Sequence, residues 1–114
     1  SINAVDQAEL KLKRAQNNLL SRELEIASQN ESDFRKATLL RKNVIPAIEA
    51  ELVSFENTLE SSLRLYEAGR ISVREILTDI NSIKQTKIKL AEAKYQLSEV
   101  FSRLAYAAGE YSLP

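Results

Sequence analysis

The chain has 114 residues, and sixteen Lys and Arg balance sixteen Asp and Glu, so its formal net charge is zero. It contains no Cys, His, Met or Trp, which excludes disulfides, thiolate chemistry and imidazole ligands or bases from this segment. Balanced, interspersed charge marks solvated helix faces and argues against a nucleic-acid or anionic-membrane surface.

Four tyrosines and three phenylalanines offer little for a globular core. No apolar run approaches the roughly 18–20 residues of a membrane span, and no signal-peptide pattern opens the chain. The chain begins with Ser, and Ser1-Ile-Asn-Ala4 reads as a cloning remnant on a processed product or expressed fragment.

From about residue 4 to residue 67 there is one proline and no glycine. Val5, Ala8, Leu12, Ala15, Leu19 and Ile26 recur at steps dominated by three and four. The rhythm returns at Ile45, Ile48, Leu52, Phe55, Leu59, Ser62 and Tyr66. Such spacing draws an apolar stripe along one helix face and predicts a coiled-coil seam. A continuous helix of this length would reach about 96 Å at 1.5 Å per residue.

Two places interrupt the pattern. Ser28-Gln-Asn-Glu-Ser-Asp33 is polar and rich in N-cap types, with Arg22 and Gln29 at expected apolar positions. A break there would fold the chain into a three-helix bundle. Pro46 lacks a backbone donor and crowds the preceding turn, but the heptad resumes behind it, which predicts a kink and not a stop.

Next comes Tyr66-Glu-Ala-Gly69-Arg-Ile-Ser72-Val-Arg-Glu-Ile76-Leu77. A lone glycine between two strongly helical segments marks a tight reversal, because a residue without Cβ readily takes the left-handed conformation that ends a helix. Ser72 with Glu75 three residues on has the form of a capping box. The tip is therefore placed at 68–72.

The return helix is predicted over 73–108. Its seam is drawn through Ile76, Ile80, Ile83, Leu90, Leu97, Phe101 and Leu104, interrupted by Lys87 and Lys94. Gly109 is placed at C′, with Glu110 to Pro114 leaving the helix. The fold class is all-α: a single, long antiparallel helical hairpin spanning 1–114. The second arm is shorter than the first, so roughly residues 4–30 need apolar partners from elsewhere.

The run Tyr66-x-x-Gly69-x-x-Ser72-x-x-x-Ile76-Leu77, followed by a helix closing on Leu104-x-x-x-x-Gly109, resembles the TolC-like outer-membrane efflux proteins. Val44-Ile-Pro-Ala-Ile-Glu-Ala-Glu51 is similar to a segment of their heavy-metal (CzcC-like) branch. Thr78-Asp79-Ile-Asn81 departs from the family's common sequence after the tip.

The resemblance covers about residues 7–109 and implies the periplasmic hairpin of a larger channel whose β-barrel and equatorial parts are absent here. It implies a homotrimer in the intact protein and a passive conduit located in the periplasm of a Gram-negative bacterium. The tip would dock a periplasmic adaptor protein and, through it, an inner-membrane pump. The segment itself does not span the membrane and binds no nucleic acid or cofactor.

Carried to the tip, the resemblance makes Gly69 and Ile71 the contact surface, joined by Ser72, with Arg70 a charge-assisted contact at the rim. Gly69 and Ser72 also suit a plain turn. Tyr66 would line the channel or, as is commoner for a seam tyrosine, pack on a neighbouring helix. Lys87 and Lys94 would face a partner protomer or the lumen or, as the preferred reading, snorkel at the seam's edge. Glu49, Glu51, Glu56 and Glu60 read as a solvated face and not an oxygen cage for a metal. No catalytic constellation is visible, and an enzyme is not expected.

Two rival functions share the pattern. One is the helical hairpin of a HlyD-like periplasmic adaptor, which Leu65 and Ser72 fit and Thr58 does not. The other is a structural oligomerisation coiled coil with no transport role.

Overall fold

The computed structural model describes residues 3–112, and every element in that range is helical. Helix α1 runs Ala4–Leu39, a five-residue π-helical turn spans Leu40–Val44, α2 runs Ile45–Glu67 and α3 runs Val73–Ser112. Together they form a hairpin of 93 × 32 × 16 Å. Asn3, which reads as part of a remnant, caps α1: its Oδ1 accepts the Asp6 N–H at 2.8 Å.

The first arm does not break at residues 28–33. The polar types there lie on a continuous helix, and Asp33 itself is buried in the seam. A three-helix bundle is therefore ruled out for the described residues. Of these polar residues Asp33 is satisfied across the hairpin: Arg103 of α3 donates from Nε to Asp33 Oδ2 at 3.2 Å and from Nη2 to Oδ1 at 3.1 Å. Gln29 adds a bond to Asp33 Oδ1 at 3.2 Å.

Pro46 does not stop the helix either. The irregularity falls just before it, as the π turn, where the Ile45 N–H reaches back to the Leu40 carbonyl. The reason is visible in the seam. Ahead of the turn the seam runs through Ile26, Asn30, Asp33, Ala37 and Leu40, with Thr38 half-buried beside it. Behind it the seam runs through Ile45, Ile48, Leu52, Phe55, Leu59 and Ser62, with Glu51 half-buried beside it. The second set is displaced by one residue from a strict heptad continuation of the first. A π turn takes one extra residue into a single helical turn. It thus absorbs the displacement and keeps both halves of the arm facing α3.

Helix α3 faces the first arm along a regular heptad. Ile76, Ile83, Leu90, Leu97 and Leu104 form one line of it, as the sequence predicts. The other line is Asp79, Thr86, Ala93, Val100 and Ala107, and not Ile80, Lys87, Lys94 and Phe101. Val100 is fully buried, while Ile80 and Phe101 are close to half exposed. Small side chains win these positions because they let two helices approach closely enough for Leu40, Ile45, Leu90 and Leu97 to meet around Ala93. Buried Thr86 is satisfied locally, its hydroxyl donating to the Ser82 carbonyl at 2.8 Å.

The return helix is longer than expected. It passes through Gly109 and continues to Ser112, so Gly109 is an interior residue and not a C′ cap. A single helical glycine costs about 1 kcal/mol relative to alanine, too little to end a helix by itself. The expected exit of residues 110–112 from the helix does not occur; Leu113 and Pro114 lie outside the described residues.

Glu51 pairs with Lys89 at 3.5 Å and Asp33 with Arg103, which sets the antiparallel register. In that register α3 ends opposite about residue 25 of α1. Ahead of that point every described residue is exposed, including Leu12, Leu19, Leu20 and Leu24. The first arm thus overhangs the second by about 20 residues, roughly 30 Å of helix. Its apolar side chains have no partner within the hairpin.

Candidate functional site

The tip is built by backbone chemistry. Helix α2 ends at Glu67, and Ala68 sits at φ −81°, ψ 0°. Gly69 follows at φ 73°, the sole residue with positive φ among those described. The Gly69 N–H donates to the Tyr66 carbonyl at 2.9 Å and the Arg70 N–H to the Leu65 carbonyl at 2.9 Å. These two bonds make a Schellman motif with Gly69 at C′, which occupies carbonyls that the helix end would otherwise leave open.

A Cβ added at Gly69 would meet no atom within 4 Å. The demand for glycine is therefore conformational and not steric. Gly69→Ala is expected to destabilise the hairpin by about 1 kcal/mol, the cost of a left-handed alanine, with helicity unchanged. Urea unfolding followed by circular dichroism measures this; a neutral result would mean that the reversal does not need the left-handed residue.

Ser72 stands immediately before α3, as expected of an N-cap, but the capping box does not form. The Glu75 N–H donates at 3.2 Å to the Ser72 carbonyl, which takes the donor that the hydroxyl would have used. Among the described residues neither the Ser72 hydroxyl nor the Glu75 carboxylate makes a reciprocal capping bond.

Gly69, Arg70 and Ser72 are exposed and Ile71 is half-buried. The reversal therefore brings the four predicted tip residues together on one end of a rod, with the Arg70 guanidinium in solvent. Tyr66, at the last seam position, is 47% exposed, so helix packing covers only about half of it.

Further up α3, Lys84 and Lys87 line an open apolar groove with Ile80, Ile83, Ile88 and Ala91. Lys87 and Lys94 flank the seam and do not interrupt it. Sequence reading missed Asp79: one of its carboxylate oxygens, Oδ2, is buried without a hydrogen-bond partner. Its place in the seam becomes legible only once the line through Ala93 and Val100 is known.

Among the described residues no three acidic side chains converge to hold a metal ion. No described helix is long and apolar enough to cross a membrane. No protein-family model, curated protein or solved structure matches the chain.

Proposed function

We propose that this chain is the periplasmic coiled-coil segment of a trimeric outer-membrane efflux channel, and that its tip docks a periplasmic adaptor. The observation that carries the reading is the shape of the hairpin. A first arm of unusual length runs past the end of the second, leaves its apolar face uncovered there, and reverses at an exposed glycine turn. An uncovered overhang calls for packing against further parts of a larger protein, and a solvent-facing tip is a ready contact surface.

In this reading the helices are a passive conduit and not a catalyst. Gly69, Arg70, Ile71 and Ser72 meet the adaptor, and the adaptor joins the channel to an inner-membrane pump that supplies the energy. Opening is a two-state shift among helix packings, biased by contacts made only in the docked state.

Disulfide trapping tests it. Cysteine at Arg70 in the full-length channel, paired with cysteines at the hairpin tip of a co-expressed adaptor, is expected to cross-link efficiently. Cysteine at Arg41, which is also exposed but lies mid-arm, is expected not to. Equal or absent cross-linking at both positions would remove the docking role.

A further inference from the structure

The two broad faces of the hairpin differ in chemistry. On an antiparallel pair, positions one residue beyond the seam on either helix fall on the same face, because the reversed chain direction also reverses the sense of rotation. The structure bears this out where Phe34, Thr38 and Arg41 of the first arm share a hollow with Phe101 of α3.

Along that face α2 presents Glu49, Val53, Glu56, Glu60, Leu63 and Glu67, all exposed, with no basic residue in the line. Helix α3 presents Leu77, Ile80, Lys84, Lys87, Ala91 and Lys94, all exposed, with no acidic residue in the line. The opposite face is crossed by the Glu51–Lys89 and Asp33–Arg103 pairs. Beside Ser54, Thr58, Thr78 and Gln85 it carries Glu75, Glu92 and Glu99, so acidic and basic residues share one column of α3 there.

The two columns stand level. Since Glu51 faces Lys89, the antiparallel register sets Glu56 opposite Lys84, Val53 opposite Lys87 and Glu60 opposite Ile80. One rigid-body operation exploits this. A two-fold axis along the hairpin lays the acidic column of one copy over the basic column of the other, twice, with Glu56 level with Lys84 and Glu60 one helical turn from it. It also brings Leu63 level with Leu77 and sets Val53 against the aliphatic stem of Lys87. A two-fold axis across the hairpin would instead lay acid on acid and base on base, which like-charge repulsion disfavours.

We propose that this face binds a second copy of the same chain, giving a parallel four-helix bundle with both tips at one end. The interface is isologous: each acidic column meets the partner's basic column. The inference concerns this chain on its own and not the intact homotrimer of the channel reading, and it does not rest on that reading.

Sedimentation equilibrium of the chain tests it. The expected result is a dimer whose affinity falls with added salt, as an interface with exposed ion pairs requires. Reversing one column, as Glu56→Lys with Glu60→Lys, or the other, as Lys84→Glu with Lys87→Glu, should each weaken self-association at least about tenfold. All four positions are exposed, so helicity should be kept, and circular dichroism checks that. An equimolar mixture of the two reversed proteins should recover a dimer, because each then complements the other. Spin labels on Arg70→Cys should report a short tip-to-tip distance.

A monomer at every salt concentration, a dimer indifferent to both reversals, or failure of the mixture would overturn the proposal. So would a trimer, or tips held at opposite ends.

Discussion

Leu40→Ala is expected to destabilise the hairpin by about 2–3 kcal/mol, while Leu39→Ala one residue earlier changes it by less than about 0.5 kcal/mol. The two leucines are adjacent in sequence and opposite in environment: Leu40 is 5% exposed and Leu39 52%. Leu40 opens the π turn and packs beside Ile45 and Ala93, with Val44, Ile48, Leu90 and Leu97 around them. Ala93 is too small to fill the space that a shortened residue 40 would leave, so the loss includes a cavity term as well as lost burial. A two-layer hairpin can partly collapse into the gap, which places the effect at the lower end of the range for core leucines. Urea unfolding of both variants decides it. Equal effects would show that the one-residue displacement at residues 40–44 is not what orients this turn.

The pair of leucines also shows what could be read from sequence and what could not. Continuity of the first arm, the reversal at Gly69 and the line through Ile76, Ile83, Leu90, Leu97 and Leu104 were all legible, because glycine punctuation and three-four spacing are local signals. The second line on α3 was not. Ile80 is more hydrophobic than its neighbour Asp79 and Phe101 is bulkier than Val100, so the larger apolar neighbour points to the wrong line at both ends. Between those ends, however, Thr86 and Ala93 are less polar than Lys87 and Lys94.

What decides is the approach distance of the two helices, a property of the pair and not of either strip of sequence. The apolar line left over is not wasted pattern: it lies on the face where the acidic and basic columns stand. The π turn was hidden for a related reason. Pro46 announced an irregularity, but its form follows from the seam's phase on both sides. The tip's site residues were placed by turn chemistry, and their docking role comes from the family resemblance alone.

Asp33 lies in the stretch that left a helix break open as an alternative, and its surroundings make it the most informative titration in the chain. As a sequence element it looks like a helix breaker; in the fold its side chain is 4% exposed and clasped by a guanidinium that is itself 47% exposed. The Arg103 hydrogen bonds hold the Asp33 carboxyl below its ordinary value of 3.8, against the opposing effect of burial, with smaller help from Gln29 and Lys36. A depressed folded-state pKa stabilises the fold at pH values above 3.8. That contribution begins to fade near the unfolded value and is gone once the pH has fallen through the folded one.

Acid should therefore weaken the wild-type hairpin in that window, and Asp33→Asn should flatten its share of the decline. Arg103→Ala should do more. It strands a buried carboxylate with Gln29 as its remaining side-chain donor, removes the main cause of the depression, and leaves burial to push the Asp33 pKa upward. Its cost at neutral pH should be several-fold that of Arg64→Ala, whose Glu60 partner is largely exposed. Pairs of that exposed helical kind contribute only about 0.3–0.5 kcal/mol. Carboxyl-detected NMR of Asp33 in both proteins, with unfolding measured at neutral and acid pH, separates the possibilities. If Arg103→Ala left the Asp33 titration where it was, the clasp would be a contact without energetic weight, and seam packing alone would hold the first arm straight.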